Sequence, residues 1–310
     1  MRTTNCLPGF AADCLVAAEH IYALADTHPG QLQTAIPFDF YPEAEWRDDM
    51  ELGATELCLA FSSFSQPFGS RPVQQQDVYL LNAVHWAHEY MKGPNDAADT
   101  LNLYDVSGLA HFELYRALQK AQTPAGFRVT QTELLRDLRK QLGKAIGQAA
   151  KDPFQFGFPW DTWDTTAHGA GLAVMASEYD QLTHSGTYAA WTSRWLADIL
   201  GANAWGTSLI VGDGTTFPHC LQHQVANLRG TLDGKPPVLL GACVEGPNID
   251  QDSGTMDGMR LGPSSDAFKQ FNGHGAKWRD AVQNYPNTEP AIDLTAPSPL
   301  AFARIMAGEY

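Results

Sequence analysis

Leu103-Tyr-Asp-Val-Ser-Gly-Leu-Ala-His-Phe-Glu-Leu-Tyr-Arg-Ala117 carries the pattern that decides the fold class. Leu103, Val106, Ala110, Leu114 and Ala117 recur with spacings of 3, 4, 4 and 3 residues, a single stripe along a helix with one buried face. The same period extends to both sides. Upstream, Phe10 to Leu24 has apolar residues at helical spacing and stops before the turn-forming His28-Pro29-Gly30. Trp46 to Phe61 is predicted as a second helix, with Asp48, Asp49 and Glu51 in its first turns, where the helix dipole favours negative charge. Val78 to Met91 makes a third, closed by Gly93-Pro94. Downstream, Thr130 to Ala150 places Leu134, Leu138, Leu142 and Ile146 every fourth residue beneath a basic outer face. Helices over Thr166–Leu182 and Tyr188–Leu200 follow, the latter with Trp191, Trp195 and Ile199 on one core-facing side.

After Gly201 the character changes. Residues 201–275 are rich in Gly, Pro, Asn and Asp and read as long loops, with short strands expected at Ser208–Val211 and Val238–Leu240. Loops of that length in a compact domain usually carry function. Helical patterning returns at Lys277–Gln283 and at Pro299–Ala307. There is no strand–helix alternation and no GxGxxG, GxxxxGK[ST] or GxSxG signature, which removes doubly wound nucleotide folds and α/β-hydrolases. The expectation is an all-α protein of successive helical hairpins, a single domain over residues 1–310.

Composition narrows the partners. The chain has 310 residues, 44% of them hydrophobic, with 15 Phe, 10 Tyr and 8 Trp, far too apolar and aromatic for intrinsic disorder. Its net charge of −15 repels phosphate backbones and anionic lipid, so neither nucleic acid nor a membrane surface is an expected partner. Neutral ligands such as carbohydrate meet no such penalty. No stretch approaches the roughly 18 apolar residues of a membrane span. The opening MRTTNCLPGFAADCL lacks the parts of a signal peptide. The five cysteines, Cys6, Cys14, Cys58, Cys220 and Cys243, fit buried thiols better than a disulfide framework, although Cys6 and Cys14 could pair in an oxidising compartment.

Chemistry concentrates near the C-terminus, in Trp278-Arg-Asp280 and Tyr285-Pro-Asn-Thr-Glu289-Pro-Ala291-Ile-Asp293-Leu-Thr295-Ala296. Asp280 and Glu289 are bracketed by aromatic residues. Sugar hydrolysis uses such surroundings: an acid whose proton is held by apolar neighbours, and aromatic faces for the apolar faces of pyranose rings. Any acidic loop after a helix also offers two carboxylates, so spacing alone leaves both readings open.

The segment resembles the C-terminal active-site signature of glycoside hydrolase family 9, the family of many cellulases: aromatic-x-Asp-x4-aromatic-x3-Glu-x-small-x3-Asn-small. Trp278, Asp280, Tyr285, Glu289, Ala291 and Ala296 fall into place without a gap, and Thr295 stands where the family usually has Asn. By this resemblance Glu289 is the general acid that protonates the departing glycosidic oxygen, and Asp280 its supporting carboxylate. Further segments are similar to the family in the expected order: Trp46–Leu57, Tyr104–His111, Phe158–Asp161 with Thr166–Gly169, and Leu200–Gly212. The resemblance implies an (α/α)6 six-hairpin toroid and an extracellular monomer. It also implies inverting cleavage of β-1,4-glucosidic bonds in cellulose, related β-glucans or cello-oligosaccharides. No cofactor is required, although family members sometimes bind structural calcium.

The family's histidine signature is partly kept. Its His-x-Arg falls on Gln222 and Gln224, in the run Phe217-Pro-His219-Cys-Leu-Gln222-His223-Gln224. His219 and His223 are candidates for sugar-hydroxyl contacts, against the alternative of loop histidines held by backbone hydrogen bonds. A metal site at His219, Cys220 and His223 has suitable residue types but no second Cys or His pair at zinc spacing, so no metal is expected. Trp160, Trp205 and Tyr285 are candidate sugar platforms, while Trp86 reads either way.

The family's upstream Asp-Ala-Gly-Asp motif, whose aspartates supply the base and bind the attacking water, does not occur. Asp96 and Asp99 are the nearest substitutes by spacing, in a context similar to a later family segment. The expectation is a chain that begins after the first helical hairpins, inactive alone or nearly so. The contending class is a non-catalytic carbohydrate-binding protein that keeps the cleft.

Overall fold

The computed structural model describes residues 8–28, 45–63, 74–94, 96, 101–121, 127–223, 226, 239–250, 254 and 265–308. They fall into two compact units, Met1–Ala98 with Tyr104–Leu138, and Asp99–Leu103 with Arg139–Tyr310.

The first unit holds α1 (Pro8–Leu24), α2 (Arg47–Ser63), α3 (Gln74–Lys92), α4 (Ser107–Lys120) and the start of α5 (Gln131–Ala149). Each matches a stretch expected from apolar periodicity. The core forms where α2 packs against α3 and α4, with Ala54, Cys58, Leu80, Ala83, Val84, Leu114, Leu118 and Leu134 buried together. Burying a Leu side chain of this kind contributes about 1.5–3 kcal/mol. α4 begins later than its stripe. Asp105 accepts the N–H of Ser107 at 2.9 Å, so the chain turns into the helix there and leaves Leu103 and Val106 half-buried ahead of it.

A polar group lies inside this unit. Val106 donates its N–H to Asp48 at 2.7 Å, and the Tyr90 hydroxyl donates to Asp105 at 2.9 Å. His111 is fully buried, its Nδ1 2.8 Å from Glu51 and its Nε2 3.4 Å from Asp137. Burial alone would lower the His111 pKa, but Glu51 and Asp137 raise it to about 10, so the ring is an imidazolium at neutral pH. Burial, then the charges of Asp105 and Asp49, push Asp48 up to about 8.

The second unit is built on α6 (Thr165–Thr183), which is buried from Thr165 through Glu178. A helix buried all round needs small residues, and Ala167, Gly169, Ala170, Gly171, Ala173 and Ala176 supply them. At Gly171 a Cβ would run into the carbonyl of Leu101. α7 (Ala189–Ile199) folds back along α6 after a short turn through His184. Trp195 and Ile199 are fully buried as expected, and Trp191 is half-buried. Short helices α8 (Tyr285–Thr288) and α9 (Ile292–Thr295) precede α10 (Pro297–Ala307). Arg304 of α10 donates to Glu178 at 2.7 Å and to Gln181 at 2.9 Å, fixing α10 against the C-terminal part of α6.

Two expectations are corrected here. Among the described residues no strand forms at Ser208–Val211 or at Leu239–Leu240; isolated antiparallel bridges appear instead, including Ile210 with Cys243, Val244 with Pro290 and Asn248 with Lys277. Val238 lies outside the described residues. Lys277–Gln283 is not helical either, because its amides are committed elsewhere. Trp278 donates its N–H to the Asn272 side chain and Arg279 to that of Asn287, both at 3.0 Å. No helix among the described residues is long and apolar enough to cross a membrane.

Candidate active site

The loops that follow α5 and α7 meet at the N-terminal end of α6. Leu209 donates its N–H to Ile199 at the end of α7, Val244 to Leu209, and Thr166 in the first turn of α6 to Glu245. Gly246 adopts φ +102°, and a Cβ there would come within 2.9 Å of the Thr166 hydroxyl, so only glycine lets this segment lie against the helix start.

Onto this base the C-terminal segment is stitched. Asn287 accepts the N–H of Gly246 through its backbone and donates its side-chain amide to the Gly246 carbonyl. Thr288 accepts the N–H of Gln222. Thr295, the one departure from the signature, donates its hydroxyl to the Ala291 carbonyl at 2.8 Å and accepts the N–H of Cys243 at 3.0 Å. Asp280 accepts the N–H groups of both His219 (3.0 Å) and Cys220 (2.8 Å). Burial raises its pKa, opposed by those two donors and by the His219 ring. Asp280 thus braces the backbone of the histidine loop.

Glu289 is half-buried and ends α8, its N–H donated to the Tyr285 carbonyl. Glu245 donates its N–H to the Glu289 carbonyl at 2.9 Å, next to the Val244–Pro290 bridge. Glu245 is buried, and its Oε2 accepts the N–H of Asp164 at 2.9 Å. Asp164 itself takes the left-handed conformation, φ 59°, immediately before α6. The carboxyls of Asp164 and Glu245 are near enough to shift each other's titration. Burial raises Asp164 to about 6, the negative charges of Asp293 and Glu289 adding to it. Burial likewise holds Glu245 well above the carboxylate range, followed by the charge of Asp164.

The aromatic candidates separate. Tyr285 stacks with Trp163 at a centroid distance of 6.2 Å, and Trp163 is 40% exposed, so this pair presents ring surface to solvent beside Glu289. Trp160 stacks on Phe156 at 4.0 Å and meets Trp205 edge-on at 5.8 Å. Trp205 donates its indole N–H to Asn272 at 2.8 Å. Both are buried, with edges lining a cavity of about 350 Å³ that also includes Asp161, Phe271 and His274. The ring of His219 stacks on Phe217 at 4.3 Å, and His223 accepts the Ala226 N–H at 3.3 Å. His223 also lines a cavity of about 520 Å³ with Pro290, Ala291 and Thr295. Gln224 and Asp99 lie outside the described residues, and Asp96 belongs to the first unit. Among the described residues no group of three or more His, Cys, Asp or Glu is arranged to hold a metal ion, so no ligands are assigned to calcium.

The sequence reading missed Asp164, Glu245 and Trp163. Glu245 carries a usable signal: it is a lone acid at the end of the apolar run Val238-Leu-Leu-Gly-Ala-Cys-Val244. Asp164 carries none locally, since its partner is 81 residues away.

The chain matches the family described as Glycosyl hydrolase family 9 over residues 2–302. It is 25% identical to the xyloglucan-specific endo-beta-1,4-glucanase of Bacteroides ovatus, over 93% of this chain and 45% of that protein. The cellulase Cel9M of C. cellulolyticum in complex with cellobiose superposes with a TM-score of 0.67 at 19% identity, covering 99% of this chain and 61% of that one. The endoglucanase of the termite Nasutitermes takasagoensis gives 0.68 at 19% identity, covering 97% and 60%. The chain thus spans about half the length of these relatives, and the likeness shows the fold to be the helical-hairpin toroid expected from the C-terminal signature. With the family matched across nearly the whole sequence and the signature folded around one half-buried carboxyl, the chain belongs to glycoside hydrolase family 9.

Proposed function

We propose that the protein hydrolyses β-1,4-glucosidic bonds of a β-glucan with inversion, Glu289 giving its proton to the departing oxygen. One observation carries this reading. Glu289 is half-buried among other carboxyls at the start of the buried α6, beside the exposed Trp163–Tyr285 pair. An acid so placed can donate a proton next to an aromatic surface that suits a pyranose face. Asp280 contributes indirectly, by holding the backbone of His219 and Cys220 in place. In the reaction, water adds to the anomeric carbon as the glycosidic C–O bond breaks. The Glu289 proton goes to the leaving oxygen, and the water proton goes to a second carboxylate about 6.5–9.5 Å away. No cofactor enters this chemistry, and the setting expected is extracellular.

The test is an assay of the purified chain on soluble β-1,4-glucan, with Glu289→Gln as control. Hydrolysis that falls at least about 100-fold in the variant supports the reading, and means that a carboxylate of this chain takes the water proton. Saturable binding of cello-oligosaccharide without product overturns it in favour of a carbohydrate-binding protein.

A further inference from the structure

The turn after α5 carries an aromatic residue that the signature does not use. Asp152 accepts the N–H groups of Phe154 at 2.7 Å and Phe156 at 3.4 Å through its side chain, and that of Gln155 at 3.0 Å through its carbonyl. Gln155 takes the left-handed conformation, φ 62°, which a side chain with a Cβ adopts only where its surroundings enforce it. The fully buried Trp195 of α7 enforces it here, donating its indole N–H to the Gln155 carbonyl at 3.2 Å. The result is a fixed turn with Phe154 at its tip, 36% exposed. Phe154 and Pro153 line the cavity of Trp160 and Trp205 on one side and a second cavity, of about 530 Å³, against α7 on the other. Ser193, Arg194, Asp198 and Asn203 complete the second cavity. Asp198 is 2% exposed, and its Oδ2 is buried without a hydrogen-bond partner. Buried polar atoms are nearly always bonded, so an unmet carboxyl oxygen in the wall of a cavity points to a ligand that meets it. Asn203 fixes the backbone there, its side-chain amide donating to the Asp198 carbonyl at 2.7 Å and the Thr207 carbonyl at 2.9 Å.

We propose that Phe154 and the cavity against α7 form a second sugar-binding site for β-glucan, apart from Glu289, in which a pyranose ring lies against Phe154 and its hydroxyls bond to Asp198. The lining selects the ligand. Burial, then the charge of Asp152, raise Asp198 to about 8 against the opposing charge of Arg194, so at neutral pH most of it is the neutral acid. In that form it both gives and takes a hydrogen bond, as a sugar hydroxyl does. A cation meets Arg194 and a mostly uncharged carboxyl, and a polyanion meets a chain of net charge −15. A neutral polyol with an apolar face meets neither obstacle, and the volume lies within the roughly 300–1,000 Å³ of small-molecule sites. Of the residues that line this cavity, none is Glu289, Tyr285, Trp163 or Glu245. The choice of β-glucan rests on the activity proposed above; the site itself rests on the turn and the cavity.

The deciding experiment titrates the intact Glu289→Gln chain, chosen so that sugar is not consumed, with cellohexaose. NMR follows the Phe154 ring and the backbone N–H groups of Ser193 and Arg194, with the Trp163 and Tyr285 rings as reporters of the Glu289 site. The Phe154, Ser193 and Arg194 signals are expected to shift together and to saturate. Phe154→Ala and Asp198→Ala should each weaken that binding at least about ten-fold. Binding reported by Trp163 and Tyr285 should change less than about two-fold in the same variants. Should Asp198→Ala not fold, Phe154→Ala, which truncates a side chain at the surface, decides alone. Signals around Phe154 that do not shift, or binding there that is as tight in Phe154→Ala, overturn the proposal. Shifts at Trp163 and Tyr285 without shifts around Phe154 overturn the second site and leave the proposed activity standing. Shifts around Phe154 in a protein whose wild-type chain shows no hydrolysis overturn the activity and leave the second site standing.

Discussion

Each unit of the molecule buries a group of carboxyl groups, and the two are built differently. In the first unit Glu51 and Asp137 flank the fully buried imidazolium of His111, while Asp48 and Asp105 take hydrogen bonds from Val106 and Tyr90. In the second, Glu245 accepts the N–H of Asp164 and gives its own N–H to the carbonyl of the half-buried Glu289. A cation shut between two carboxylates balances charge without exchanging protons with a substrate, which suits a structural role. A carboxyl that reaches partway to solvent, as Glu289 does, has the access that the proposed proton donor needs. Burial alone does not distinguish the two groups; the presence of an imidazolium and the exposure of one member do.

The largest effect that would break this comparison is at Glu289. Glu289→Gln should lower hydrolysis of soluble β-1,4-glucan by at least about 100-fold while circular dichroism and the unfolding midpoint stay near wild type. Equal hydrolysis in the variant would make the second group structural as well. Next is His111→Leu, which strands Glu51 and Asp137 in the core without a counter-charge. It should cost about 3–5 kcal/mol in urea denaturation. A loss below about 1 kcal/mol would show that the first group does not depend on its cation.

The third effect is in the pH dependence of stability. Asp48 is raised from 3.8 to about 8 in the folded chain. The native state then binds the proton more tightly than the unfolded chain does, so this stabilisation is complete below about pH 4 and is lost as pH rises through 8. Unfolding free energy should therefore decline between pH 5 and 8, by at most about 1.4 kcal/mol per pH unit from this residue. Asp48→Asn should flatten the decline, and an unchanged slope would place its cause elsewhere. The smallest effect is at Trp163. Trp163→Ala removes ring surface that is already 40% exposed, and should raise KM about three- to ten-fold with little change in stability.

Periodicity made the helical framework legible. The Leu114 stripe, the Leu134–Leu142 ladder and the Trp195–Ile199 face all point into cores as their spacing requires. It failed at Lys277–Gln283, where Trp278, Ala281 and Val282 are buried at helix-like intervals although the amides of Trp278 and Arg279 bond to Asn272 and Asn287. Loop packing can bury a 3-4 pattern as well as a helix can. For the site, Asp280 was legible by residue type, but its partners are backbone N–H groups some 60 residues away. Trp160 and Trp205 have polar neighbours in sequence, yet the fold turns them against each other and Phe156. Asp164 and Glu245 lie 81 residues apart and signal nothing until the chain is folded.

The burial of α6 on every side has a consequence for how this site could change over generations. Small residues leave the helix almost no freedom to accept larger ones, so its first turn, with Asp164 just ahead of it, is anchored in the part of the unit least tolerant of substitution. Trp163, one residue earlier, already faces solvent, as do Gly273 and His274 in the loop that lines the neighbouring cavity. Under the proposed activity, new sugar preferences would be sampled on the outer loops while Asp164 keeps its place before α6. Amino-acid replacements selected for a different glucan should accumulate around Trp163 and residues 271–275, and rarely between Thr165 and Glu178.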